Sequence, residues 1–117
     1  KGRDAIGRKD LTTRDQAIIE IRDVWEKVTA STAIHYLNSA KANFSDNALR
    51  NHALSEAYAF IWNIQFNPTQ KLTDSEINND ILATYFDNLY TITIQDIEAV
   101  KTLLSSRYGF DSLKDNL

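Results

Sequence analysis

The chain has very few residues that favour turns: three Gly and one Pro among 117 residues. A β-sandwich or barrel needs a turn signal about every 8–12 residues, so this scarcity argues against both. Apolar residues instead recur at helical spacing, between residues of the types that cap helices. The sequence therefore predicts an all-α fold, an up-and-down bundle of four main helices, of which the first is long.

The first main helix, predicted from Arg14 to Asn43, carries two apolar stripes. The stripe of its first half consists of Ala17, Ile18, Ile21, Val24, Trp25 and Val28. Val28–Ala40 holds no charged residue, and its apolar members lie on a face rotated by about 130° from the first stripe. The helix either breaks near Thr29–Thr32 or continues with both faces covered. We favour an unbroken helix about 45 Å long, which protrudes or packs against further material.

Cap residues delimit the other three helices. Ser45 is the predicted N-cap of the second helix, which ends before Pro68. The third helix begins at a capping box, Thr73–Glu76. Thr93 is the predicted N-cap of the fourth helix, and Gly109 suits the left-handed position that ends it.

The length of the chain is that of one domain. Residues 1–11 contain two of the three glycines and are predicted to form a loosely ordered lead-in, followed by a single helical-bundle domain over residues 12–117. The sequence begins at Lys1 and contains no methionine, from which we expect the C-terminal piece of a larger helical domain. The uncovered surface is expected around Ala30, Ala33, Ile34, Leu37 and His35. The expected partner is the missing N-terminal portion of the parent protein or a second copy of the chain.

Composition argues against several classes of function. Without cysteine there is no disulfide framework, thiolate metal site or cysteine nucleophile. A pI near 5.3 argues against a nucleic-acid-binding domain, and acidic residues dilute the single basic cluster in residues 1–9. The longest apolar run, Ala57–Trp62, is far shorter than the ~20 residues of a membrane-spanning helix, so no transmembrane segment is predicted.

The two histidines are the candidates for chemistry. His52 and Glu56 stand four residues apart on the second predicted helix, a spacing at which both could bind zinc or iron. His35 lies with Ser31 and Asn38 on a polar stripe of a helix that is otherwise expected to be buried, and His52 could complete a site there. The alternatives are an ordinary surface His–Glu pair and a core histidine whose hydrogen bonds are satisfied. No Glu-x-x-His pair, phosphate-binding loop or nucleophile elbow occurs, so the sequence leans away from an enzyme.

The segments Thr32–Asn38, His52–Ala57 and Phe66–Pro68 carry a family resemblance. Together they resemble the C-terminal part of an uncharacterised family, a helical domain of unknown function in bacterial cell-envelope lipoproteins. That family is distantly similar to the imelysin-like proteins, which are helical bundles linked to iron uptake. The imelysin pattern Gly-x-His-x-x-Glu is altered here, since Arg50 replaces the glycine and one more residue separates His52 from Glu56.

The resemblance implies a place in the cell and not an activity. It implies a periplasmic or cell-surface location, with lipid anchoring through a parent chain. The function that we expect is a non-catalytic binding or interaction module of such a lipoprotein. The alternative is a metal- or iron-related, imelysin-like domain that uses His52, Glu56 and His35.

Overall fold

A computed structural model describes all residues of the chain, Lys1–Leu117, and it shows the predicted all-α fold. The α-helices are α1 (Gly2–Gly7), α2 (Leu11–Ala42), α3 (Asn47–Asn63) and α4 (Ile94–Tyr108). A 3-10 turn, Ile64–Phe66, follows α3, and a π-helix, Glu76–Ala83, precedes α4. The four main helices of the bundle are α2, α3, the π-helix and α4.

The long helix α2 is unbroken, so the alternative break near Thr29–Thr32 is absent. Thr29 and Thr32 donate their hydroxyl protons to carbonyl oxygens of the preceding turn, at 3.0 and 2.9 Å, which satisfies them inside a continuous helix. The 32 residues of α2 span about 48 Å. The molecule measures 56 × 27 × 24 Å, so α2 sets its length. Since α3 has only 17 residues, it accompanies about half of α2, and the N-terminal half projects.

The helix starts follow capping chemistry, but two of them differ from the prediction. The long helix α2 begins at Leu11 rather than Arg14, because the Asp10 side chain accepts a hydrogen bond from the Thr13 N–H at 3.0 Å. Asp46 rather than Ser45 caps α3, because its side chain accepts hydrogen bonds from two backbone N–H groups of the first turn, at 2.9 and 3.1 Å. Glu76 accepts from the Thr73 N–H at 2.8 Å and Thr73 Oγ1 accepts from the Glu76 N–H at 3.2 Å, which is the predicted capping box. Thr93 caps α4 as predicted.

The segment predicted to be a loosely ordered lead-in contains the short helix α1. This helix folds back along the start of α2, and Ala5 is fully buried there. A Cβ placed on Gly2 would lie 3.2 Å from the Cβ of Ala17, so the two backbones are already close. The small residues at this contact are what allow so near an approach.

The core covers the surface that the sequence predicts to be open. Ala30, Ala33, Ile34 and Leu37 are all fully buried, so that prediction is wrong. These side chains belong to one apolar cluster with residues of α3, the π-helix and α4. The reason is that the uncharged second half of α2 forms the centre of the bundle, with α3 and α4 packed against it.

Candidate functional site: an exposed apolar face

An apolar surface lies uncovered on the projecting half of α2. This outer face consists of Ile18, Ile21, Val24, Trp25 and Val28, and Ile21 and Trp25 are 64% and 69% exposed. Their spacing of three and four residues brings them to one side of the helix, as the sequence predicts. That side points away from the core, because the buried stripe of the second half sets which way α2 faces.

Trp25 lies between two cavities. One, of about 340 Å³, lies between α2 and the segment that follows α3. The other, of about 450 Å³, lies between α2 and the N-terminal end of α1. Ile21 and Trp25 line both cavities, so a single concave apolar strip runs along α2 past Trp25.

Aromatic side chains at the end of α3 extend the outer face sideways. Phe66 is 61% exposed and lines the first cavity together with Trp25. The Phe66 ring meets the ring of Trp62 edge to face, with 4.9 Å between centroids, which holds both rings in a preferred geometry. An occupant of the outer face therefore meets two elements of the protein, α2 and the 3-10 turn.

Glu26 anchors the base of the outer face. It is only 4% exposed, and its carboxylate accepts hydrogen bonds from the Tyr108 hydroxyl at 2.7 Å, from the Lys71 backbone N–H at 2.8 Å and from the Asn67 amide. Burial, and next the hydrogen bond to Glu26, raise the pKa of Tyr108, so this hydroxyl stays a donor. Glu26 thereby ties α2 to α4 and to the segment after α3.

The candidate metal ligands are not gathered into one cluster. His52 is exposed and Glu56 half-buried on α3, whereas His35 is exposed on α2. The expectation of a buried polar stripe at His35 is wrong, and the half-buried Asn38 of that stripe donates to the backbone oxygens of Lys114 and Leu117. No group of three or more His, Cys, Asp or Glu side chains is arranged to hold a metal ion. The His52–Glu56 pair stays a prediction.

Two residues of the site escape the sequence analysis, Glu26 and Phe66. A signal for Glu26 does exist in the sequence. The buried stripe of the second half of α2 continues backwards by one turn, from Ala33 through Ala30 to Glu26, at helical spacing. A carboxylate on that line is inward-facing, and burial then requires the donors that the structure supplies. Phe66 has no such signal, since its exposure follows from the 3-10 turn after α3.

The comparisons with known proteins place the chain in a family without assigning an activity. A family model described as "Domain of unknown function (DUF4856)" matches residues 1–111. No curated protein and no solved structure matches the chain. Among the helices, none combines the length and the apolarity that crossing a membrane requires.

Proposed function

We propose, for a chain that belongs to this family of unknown function, the role of a non-catalytic interaction module that docks through the outer face of α2. The observation that carries the proposal is the exposure of five apolar side chains along one side of a projecting helix. The largest apolar patch on a typical monomer is about 300–600 Å², and such patches are often functional. Tryptophan is enriched among the residues that dominate binding energy, and Trp25 sits at the middle of the strip.

The shape of the outer face indicates the chemistry of its occupant. A strip that follows one helix, with a groove on each side of Trp25, fits the apolar side of another helix. The polar groups at the floor are already satisfied, since Glu26 accepts three hydrogen bonds from the protein itself. A module that docks a helix needs no nucleophile or general base, which agrees with this arrangement.

The outer face can be tested by exchanging its most exposed residues. The double variant Ile21→Gln/Trp25→Gln keeps good helix formers and removes the apolar surface. We expect fluorescence of a bound hydrophobic dye to fall several-fold, with the free energy of unfolding unchanged within about 0.5 kcal/mol. Tyr90→Gln/Leu113→Gln is the matched control, since these residues are 72% and 51% exposed elsewhere on the surface. Equal dye binding by the outer-face variant and the wild type would contradict the proposal.

The proposed location is the cell envelope, with lipid anchoring through a parent chain. Its support is the resemblance of Thr32–Asn38, His52–Ala57 and Phe66–Pro68 to envelope lipoproteins that are distantly similar to imelysin-like proteins. Fractionation of cells that produce the parent protein, with and without an inhibitor of lipoprotein processing, tests it. Recovery in the cytosolic fraction alone would exclude this location.

The alternative function is a metal- or iron-related role of His52 and Glu56. Its support is that α3 carries both residues four positions apart, on one side of the helix. Titration with zinc and with ferrous iron, followed by calorimetry, compares the wild type with His52→Ala and with His35→Ala. Affinity tighter than millimolar that His52→Ala removes would favour a metal site, and loss with His35→Ala as well would add the third ligand. Binding unchanged in both variants would exclude it.

A further inference from the structure

We infer that the occupant of the outer face is a second copy of this chain, whose α2 packs antiparallel against the α2 of the first. The inference rests on the proposed docking function and names the partner. It follows from three features of α2: the spacing of the residues along the outer face, the charges at its edge, and the position of the bundle.

The outer face belongs to a longer seam with the spacing of a coiled coil. Steps of three and four residues alternate through the whole seam, which consists of Leu11, Arg14, Ile18, Ile21, Trp25 and Val28. Leu11 is exposed and Arg14 is half-buried, so the seam is open along its full length. This alternation is what one helix presents to another in a coiled coil.

The seam is complementary to itself when two copies run antiparallel. A two-fold axis between Ile18 and Ile21 places Ile18 of each copy opposite Ile21 of the other. The same axis places Leu11 of each copy opposite Val28 of the other. Four apolar layers therefore form from one stripe, without a residue from any other element.

Arg14 favours the antiparallel over the parallel arrangement. In the antiparallel pair its guanidinium lies opposite the Trp25 indole of the second copy, where a cation–π contact is favourable. In a parallel pair the two Arg14 side chains would share one layer of the seam, where like charges repel. The ion pair of Arg14 with the neighbouring Asp15 is at the surface, so it leaves the guanidinium near the seam.

Charges at the edge of the seam select the register. Asp15 and Arg22 stand seven residues apart, on the edge of α2 that faces the segment after α3. Arg22 takes part in no ion pair within the chain. The antiparallel pair brings Arg22 of each copy to within about 3 Å, along the helix axis, of the level of Asp15 in the other. A shift by one heptad would bring the two Arg22 side chains together in one direction, and would leave Trp25 without a partner in the other.

The bundle leaves room for the second copy. It encloses α2 from Thr29 onwards, and in the antiparallel pair these residues lie beyond Leu11 of the other copy. The two bundles are therefore at opposite ends of the pair. Since α1 packs against α2 at Ala17, on the edge opposite to Arg22, it does not cover the seam.

The size of the contact predicts a dimer that dissociates on dilution. The seam from Leu11 to Val28 is about 27 Å long. Stable, specific interfaces bury about 1,200–2,000 Å² in total, and transient ones bury less. One helix pair of this length belongs to the smaller class, so the dimer should be in equilibrium with monomers.

Sedimentation equilibrium over a range of protein concentrations tests for this dimer. We expect the mass of the wild type to rise from that of one chain to that of two. Ile21→Asp should keep the protein monomeric, whereas Leu113→Asp, an exposed residue outside the seam, should associate like the wild type. In Trp62→Phe, where Trp25 is the only tryptophan, acrylamide quenching should fall as the dimer forms.

Reversal of the edge charges tests the antiparallel register. Asp15→Arg and Arg22→Asp each place like charges at both edge contacts of the dimer, and each should weaken association about tenfold. An equimolar mixture of the two variants restores opposite charges at both contacts and should associate as tightly as the wild type. Recovery in the mixture also shows that both variants are folded.

Three outcomes would overturn the inference: a wild type that is monomeric at every concentration, association that Ile21→Asp leaves intact, and a mixture that associates no better than either charge variant alone. In a strictly monomeric protein, dye binding that Ile21→Gln/Trp25→Gln removes would leave the docking function intact with a different helix as partner. Dye binding unchanged in that variant would remove the proposed function itself.

Discussion

Glu26 is a buried carboxylate without a cationic partner, held by three neutral donors. Such a group is stable only while its donors stay in place, and the same donors lose their acceptor if the carboxylate is removed. The hydrogen bonds of Glu26 therefore connect the projecting helix α2 to the rest of the bundle.

Replacing Glu26 by Ala should lower the free energy of unfolding by about 3 kcal/mol, because the Tyr108 hydroxyl, the Asn67 amide and the Lys71 N–H would lose their acceptor. Urea unfolding followed by circular dichroism measures the change. Glu20→Ala is the control, since Glu20 takes part in a largely exposed pair with Lys1 and its removal should change the free energy of unfolding far less. Equal losses in the two variants would show that the Glu26 hydrogen bonds do not stabilise the fold.

Glu76 makes the stability of the protein depend on pH. The Thr73 backbone N–H, followed by the Arg107 guanidinium and the Thr73 hydroxyl, lowers the pKa of this carboxyl from 4.5 to about 2. A folded-state pKa below the unfolded value means that the stabilisation is fully present above about pH 4.5 and is lost as the pH falls towards 2. We expect Glu76→Gln to flatten the decline in unfolding free energy across this window, measured by urea titrations at several pH values. A Glu76→Gln slope equal to that of the wild type would contradict the assignment.

At the scale of helices, the residue that follows the last turn decides where α4 ends. Gly109 adopts a φ of 76° at the end of α4, as predicted from its position. Gly109→Ala should cost about 1–2 kcal/mol, because an added Cβ meets no neighbour but the left-handed backbone is strained for alanine. Gly7→Ala is the matched control: it also meets no neighbour, lies in a helix, and should be neutral or stabilising by up to about 1 kcal/mol. Thermal and urea unfolding measure both, and equal effects would contradict the argument.

The capping boxes at Thr73 and Thr93 were predictable because each involves residues three positions apart, whereas Ser45 and Asp46 are both good N-caps and the sequence does not decide between neighbours. Which apolar stripe of α2 would be buried was not predictable from the sequence. It depends on where α3 and α4 pack, and the periodicity of α2 does not contain that information. Both stripes look equally apolar along the sequence, and only the buried one coincides with the uncharged stretch Val28–Ala40. The π-helical form of the third helix was missed for a similar reason, because its buried residues Ile77, Ile81 and Leu82 are spaced as in an ordinary helix.

At the scale of the whole molecule, the outer face and the core belong to one helix with two different surroundings. The radius of gyration is 16.6 Å, above the ~13 Å of a compact domain of similar length, because half of α2 extends past α3. Its second half is enclosed by the bundle, whereas its first half contacts α1, the segment after α3 and, through Glu26, the Tyr108 hydroxyl at the end of α4. At one end of the protein the bundle encloses α2, and at the other end α2 pairs with α1 and keeps its outer face exposed.

Substitution of two isoleucines by alanine should affect the free energy of unfolding differently at the two ends of the molecule. Ile61 is fully buried between helices, so Ile61→Ala should lower the free energy of unfolding by about 2–5 kcal/mol. Ile21 is 64% exposed, so Ile21→Ala in the monomeric 117-residue chain should change it by no more than about 0.5 kcal/mol. Urea unfolding at two protein concentrations measures both and removes any contribution from self-association. A large loss of unfolding free energy for Ile21→Ala in the monomer would mean that α1 and the segment after α3 already cover this surface. A loss below about 1 kcal/mol for Ile61→Ala would mean that the core lies elsewhere.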